Sequence, residues 1–116
     1  MSLFVHNEED GAYEAAIKGI RFTCEEVSAE LEAASAALAD AYEEKLSLIA
    51  DFMLGDIVEV FGDMSADAML SALGTPEIDL DRSVISYFNQ TLDDSHIIEV
   101  EYGGVFDELY EVIIDG

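Results

Sequence analysis

The sequence DLDRS at residues 79–83 begins like a calcium-binding loop. Asp79, Asp81 and Ser83 would supply the oxygen ligands at the first, third and fifth positions of such a loop. The loop also requires a glycine at its sharp turn and a bidentate glutamate at its end, and Val84 and Gln90 stand at those positions. Because both of these defining residues are missing, the pattern favours a turn that enters a strand, and we predict no metal and no cofactor here.

His96 and Cys24 are further residues whose types could do chemistry. His96 is in phase with Ile98 and Val100, so we expect its ring to face inward at the end of a strand as a structural side chain. Cys24 is followed by two glutamates, and negative neighbours raise the pKa of a thiol, which is the reverse of what a nucleophile needs. We therefore predict a small buried cysteine and assign no catalytic residue.

Carboxylates dominate the composition, with 27 Asp and Glu against four Lys and Arg and a net charge of −23. With so many acids, any two could be proposed as a general acid and base, so no pair is evidence for catalysis. The chain has no nucleophile elbow, phosphate loop or zinc-ligand spacing. An enzyme that uses Asp79, Asp81, Asp93 or His96 is the less favoured alternative.

The negative charge also limits which classes of binding partner are expected. It opposes nucleic-acid binding, which depends on cations that neutralise phosphates, and it opposes anionic membranes. It favours a basic protein partner, or serves solubility alone. We also expect crowding to raise the pKa values of clustered acids, and salt to stabilise the fold by screening their repulsion.

The cellular compartment is indicated by the single cysteine, which cannot form a disulfide within the chain. The acidic N-terminus is unlike a secretion signal, and no apolar run approaches the roughly 18 residues of a membrane span. These features predict a cytoplasmic protein.

One stretch, from Val27 to Leu54, has the apolar spacing of threes and fours that places side chains on one face of a helix. We predict one long amphipathic helix that is capped by Ser28 and stops at Gly55. Short helices are predicted for residues 56–61 and 66–73. The second begins after Ser65 and ends at Gly74, before the only proline.

Residues on both sides of this helical region alternate with the period of strands. Residues 13–24 read as strands interrupted near Gly19, although the segment YEAAIK could also be helical, and Asp10-Gly11 predicts a hairpin before them. Residues 84–88, 96–102 and 109–114 predict a three-stranded antiparallel meander. The aromatic residues are assigned to the core: Tyr42, Phe52, Phe61, Tyr87, Phe88 and Tyr102.

The expected fold is therefore a single α+β domain over residues 1–116, in which an antiparallel sheet built from both ends of the chain packs against the helices. The stretch from Pro76 to Gly116 contains the motifs HIIEV at residues 96–100 and IDG at residues 114–116. In these motifs it resembles several small bacterial α+β domain families of unknown function. Some families of this type resemble immunity proteins, and the resemblance implies a binding role without catalytic residues.

The function expected from these observations is that of a non-enzymatic binding protein with an acidic surface. Candidate contacts with a basic partner are Glu43 and Glu44 on the helix, and Glu99 and Glu101 on the polar face of a strand. The main alternative is an orphan structural domain whose charge serves solubility. The oligomeric state is left open by the sequence.

Overall fold

The computed structural model describes residues 4–9, 11–93 and 95–115. Within these residues the chain forms seven strands and three helices. The strands are β1 (Val5–Asn7), β2 (Ala12–Ile17), β3 (Ile20–Cys24), β4 (Glu77–Asp79), β5 (Val84–Tyr87), β6 (Ile97–Gly103) and β7 (Glu108–Asp115). The helices are α1 (Ala29–Glu44), α2 (Leu46–Phe61) and α3 (Ala66–Leu73), and all three lie between β3 and β4 in the chain.

The seven strands form one sheet in chain order, from β1 at one edge to β7 at the other. Every neighbouring pair is antiparallel except β3 and β4, which are parallel because the helical region returns the chain to the end of the sheet where β3 began. The prediction of a sheet built from both ends of the chain is confirmed, and β5, β6 and β7 pair consecutively as the predicted meander.

The first five residues of the ambiguous segment YEAAIK belong to strand β2, which pairs with β3 across a two-residue turn. Lys18 and Gly19 both have positive φ, at 52° and 82°, which gives the turn the twist that antiparallel strands require. The predicted hairpin before it also forms, since β1 pairs with β2. Asp10, Asp94 and Gly116, which belong to predicted turns and to the closing motif, lie outside the described residues.

The helical region differs from the single helix predicted for residues 27–54. Two helices occupy it and meet at Lys45, while Gly55 lies inside α2 instead of ending a helix. Lys45 retains its backbone bond to Ala41, but its ammonium group reaches the turn between β6 and β7, where it bonds Val105 O at 2.7 Å and Asp107 at 2.8 Å. This contact holds the junction against the sheet. A glycine within α2 is tolerated at a cost of about 1 kcal/mol.

The caps predicted at Ser28, Ser65 and Gly74 are present, whereas the cap predicted at Gly55 is not. Ser28 and Ser65 each accept a hydrogen bond at 3.1 Å from a backbone amide three residues on, at the starts of α1 and α3. Gly74 ends α3 with a φ of 70°, a conformation that L side chains rarely adopt.

All core-forming strand residues project from one face of the sheet, towards the helices. Phe22, Ile85, Tyr87 and Val100 are fully buried there. The Tyr42 hydroxyl of α1 shares a hydrogen bond of 2.8 Å with the Tyr87 hydroxyl, and burial raises the pKa of both phenols. Among the described residues, none of the helices has the length and apolar character needed to cross a membrane.

Candidate interaction surface

No helix of the described residues packs on the opposite side of the sheet, and we call that side the open face. Strand pairing aligns its outward side chains in two rows across the sheet. The first row consists of Ala16, Arg21, Glu77, Ser86, Glu99 and Ile113. The second row consists of Glu14, Thr23, Asp79, Val84, Glu101 and Glu111. The rows hold six carboxylates and one arginine, so the face is strongly negative.

Arg21 organises the carboxylates near β3. Its Nε is 2.9 Å from Glu14 Oε2 and its Nη1 is 2.5 Å from Glu77 Oε1, while its Nη2 also contacts Glu14. The hydrogen bond from Arg21, assisted by one from Asn7, lowers the pKa of Glu14. The parallel pairing of β3 with β4 makes this arrangement possible, since it places Glu77 opposite Arg21.

The carboxylate of Glu99 also has partners within the fold. It accepts a hydrogen bond of 2.9 Å from Ser86 Oγ and lies 3.9 Å from Arg82. Val84, on the same face, is 2% exposed although it lies outside the main core cluster. Part of the open face is therefore held in place by side-chain packing of its own.

Glu101 and Glu111 differ from the other acids of this face. They stand directly opposite each other on β6 and β7. Within the described part of the chain, no hydrogen bond or ion pair reaches either carboxylate. Like charges directly opposite each other destabilise a sheet. This pair thus costs stability and is positioned to receive a cation from another molecule.

The four predicted contact residues do not share one surface. Glu99 and Glu101 lie half-buried on the open face, whereas Glu43 and Glu44 are exposed at the end of α1, in the helical layer on the other side of the sheet. Glu43 lies 3.4 Å from Lys18, which also pairs with Asp40 at 2.7 Å. Sequence reasoning missed Glu111 and Arg21, because only the strand register brings them beside Glu101 and Glu77.

The acidic loop at residues 79–83 forms the turn between β4 and β5. Asp79 Oδ1 accepts hydrogen bonds from the backbone amides of Asp81 and Arg82, and Asp81 Oδ2 accepts one from Glu25. These carboxylates are therefore used in shaping the turn. Across the residues that the structure describes, no group of three Asp, Glu, His or Cys side chains is close enough to hold a metal ion.

His96 lies just before β6 and contacts the helical layer, where its ring meets the ring of Phe61 edge-on. Its Nδ1 is hydrogen-bonded to Asp93 Oδ2, an arrangement that also orients catalytic histidines. Ser95 Oγ, however, lies 3.4 Å from that same ring nitrogen, so it does not stand where a triad would place its nucleophile. Asp93 and Gln90 instead bond the backbone of their own loop.

Cys24 is 1% exposed, as predicted. Burial raises the pKa of its thiol, and the nearby charges of Asp81 and Asp79 raise it further. The acids that raise the thiol pKa are therefore Asp79 and Asp81 at the β4–β5 turn, and not the two glutamates that follow the cysteine in sequence. The thiol is unsuited to act as a nucleophile.

The assignment of Phe88 to the core was wrong. Its side chain is 51% exposed, while its neighbour Tyr87 is fully buried. Phe88 is the first residue after β5. Even in the predicted strand over residues 84–88, successive side chains would point to opposite faces, so these two rings could not both enter the core. The phase set by Ile85 and Tyr87 was the signal that could have placed Phe88 on the open face.

Comparison of the chain with models of protein families, with curated proteins and with solved structures gave no match. The candidate surface therefore rests on geometry alone.

Proposed function

We propose that the protein is a non-enzymatic binding module that docks a basic protein partner on the open face of its sheet. The observation that carries this proposal is the Glu101–Glu111 pair, in which two carboxylates face each other across neighbouring strands with no cation from the described chain beside them. A Lys or Arg from a partner would remove that repulsion on binding.

The rest of the open face supports a basic partner over other classes. Glu14 and Glu77 are held by Arg21, and Glu99 is held by Ser86 and Arg82, so these acids are ordered before a partner arrives. Ordered side chains lose less conformational entropy on association. The negative field of a chain with a net charge of −23 would also accelerate encounter with a basic protein and repel nucleic acid.

The biological setting that we propose is the bacterial cytoplasm, in an immunity-like role in which a small acidic protein binds and blocks a basic one. This rests on the resemblance of residues 76–116 and on the single, buried cysteine. A domain whose acidic surface serves solubility alone is the competing function.

The proposal is tested by capturing partners from a bacterial lysate at low and at about 0.15 M salt, where screening acts over roughly 8 Å. The bait is the wild-type chain beside a variant that carries Glu101→Gln and Glu111→Gln. We expect a basic protein to be retained by the wild type, and its retention to fall on the variant and at the higher salt.

The matched control carries Glu43→Gln and Glu44→Gln, which removes the same charge from the helical layer. Retention that falls on this control and not on the sheet variant would move the interface to α1. Equal loss on both variants would mean that only net charge matters, and retention of no specific protein would favour the solubility function.

A further inference from the structure

Phe88 is a large exposed aromatic side chain at the border of the open face, directly after the end of β5. It lines a surface groove together with the open-face residues Glu14, Arg21 and Glu77. Its side chain is 51% exposed, whereas Tyr87 immediately before it is fully buried. Residues that dominate binding energy are often aromatic and lie near the centre of an interface.

The ring of Phe88 forms part of a depression in the surface. On one side lies a groove of about 360 Å³, whose lining includes Glu14, Arg21, Thr23 and Glu77. On the other side lies a smaller recess of about 140 Å³, whose lining includes Gly19, Pro76 and Asn89. Arg21, Glu77 and Phe88 line both, so an extended side chain placed along the groove would touch the ring and the carboxylates together.

The charges around the ring select the kind of side chain that fits. Arg21 binds Glu14 and Glu77, so these three described side chains carry one more carboxylate than cation. An anion would have to compete with those carboxylates for Arg21, and an apolar side chain would desolvate them without giving a charge in return. A cation gains both the carboxylates and the face of the ring, to which Lys and Arg are attracted.

We propose that Phe88 is the aromatic anchor of the interface and that it receives an arginine or lysine side chain of the partner, stacked on the ring and paired with Glu77 and Glu14. This inference rests on the proposed function. The Phe88 contact would supply affinity at short range, whereas Glu101 and Glu111 would attract the basic partner from a distance.

The test measures binding of a short oligo-arginine peptide to the full chain by calorimetry at about 0.15 M salt, the screening regime of the cell. Phe88→Ala should weaken binding about two- to fivefold, the range of a cation–π contact at an exposed site. Phe88→Leu should weaken it nearly as much, because leucine retains apolar volume and lacks the ring. Val60→Ala is the matched control, since Val60 is also 51% exposed but lies on α2.

The variants separate this inference from the function on which it rests. Peptide binding that weakens with Glu101→Gln and Glu111→Gln, and is unchanged by both Phe88 variants, would overturn the anchor and leave the acidic docking face intact. Loss with Phe88→Ala but not with Phe88→Leu would make Phe88 an apolar contact and overturn the cation. Absence of binding by the wild type would contradict both proposals.

Discussion

Asp93 is the acid whose environment in the fold most favours its charged form. Burial raises its pKa, but hydrogen bonds from the backbone and ring of His96, from Gln90 and from Ser95 outweigh that effect and lower the pKa to about 2. A carboxyl whose pKa is lower in the folded state adds stability above its unfolded pKa of 3.8, and this stability is lost as the pH falls through about 2.

We therefore predict that Asp93→Asn lowers the melting temperature at neutral pH, and that the difference from the wild type shrinks as the pH falls from about 4 to about 2. Thermal melts over this range, followed by circular dichroism, measure it. Asp63→Asn is the control, because Asp63 is exposed and makes no hydrogen bond within the described chain. A difference that stays constant down to the lowest pH would show that the charge of Asp93 is not what stabilises the loop.

The hydroxyl pair between Tyr42 and Tyr87 makes a second prediction at the scale of single residues. Removing one buried partner leaves the other hydroxyl without its hydrogen bond, whereas removing both leaves no polar group to satisfy. Tyr87→Phe should destabilise the fold by about 1–3 kcal/mol, and adding Tyr42→Phe should restore part of that loss. Denaturant unfolding of the two single variants and the double variant tests this, and strictly additive losses would mean that the hydroxyls are not coupled.

At the scale of elements, substitutions at two neighbouring residues of α2 can test which face of this helix packs against the sheet. Ile49 is fully buried and Leu48 is 61% exposed. We expect Ile49→Ala to lower the free energy of unfolding by about 2–5 kcal/mol, because it opens a cavity between the helix and the sheet. Leu48→Ala should change it by less than about 0.5 kcal/mol. Similar losses from the two substitutions, measured by denaturant unfolding, would contradict the orientation of α2.

The sequence predicted the elements better than their junctions. Apolar spacing identified the helical region and the alternation of the strands, because both depend on residues that are near each other in the chain. The break at Lys45 depends on Val105 and Asp107, about sixty residues later, and no local pattern encodes that contact. The parallel pairing of β3 with β4 is similarly hidden, and with it the bridge from Arg21 to Glu77.

The candidate site was predicted only in part, for a related reason. Alternation along β6 placed Glu99 and Glu101 on a polar face, and the structure puts them on the open face of the sheet. Their partners Arg82 and Glu111 follow from strand register, which a single sequence specifies weakly when a strand is polar on one side. Phe88 was assigned by its residue type, although its phase in the strand already excluded the core.

At the scale of the whole molecule, two electrostatic effects can be separated: pKa shifts caused by a neighbouring cation, and the repulsion that follows from the net charge. Carboxylates with clear shifts are lowered, not raised as we expected: Arg21 lowers the pKa of Glu14, and Lys45 lowers that of Asp107. Each of these acids is bonded to a cation. The repulsion expected from a net charge of −23 must then act through the other acids, most of which form no ion pair with Lys or Arg among the described residues.

We predict that salt stabilises the protein at neutral pH, with the melting temperature rising between low salt and about 0.15 M, because screening weakens this repulsion. The Glu101→Gln and Glu111→Gln variant should melt higher than the wild type at low salt and gain less from added salt. Scanning calorimetry over a salt series provides the measurement. A wild-type melting temperature that is flat or falls over this range would show that repulsion is not a major cost.

The parallel contact between β3 and β4 divides the sheet into two groups of strands, each contiguous in sequence. Strands β1–β3 and β4–β7 can each form through local connections, the longest of which covers residues 88–96, whereas their union must wait until three helices have brought the chain back. Loop closure over that distance is entropically costly, and it yields three residue pairs, no more than the local pairings of β1 with β2 and of β4 with β5. The sheet therefore contains a seam, and local opening of the native state should begin along it. Arg21 bonds Glu14 of β2 and Glu77 of β4, so its side chain links the two groups of strands across that seam. A partner seated on Phe88 would lie across the two groups and hold them closed.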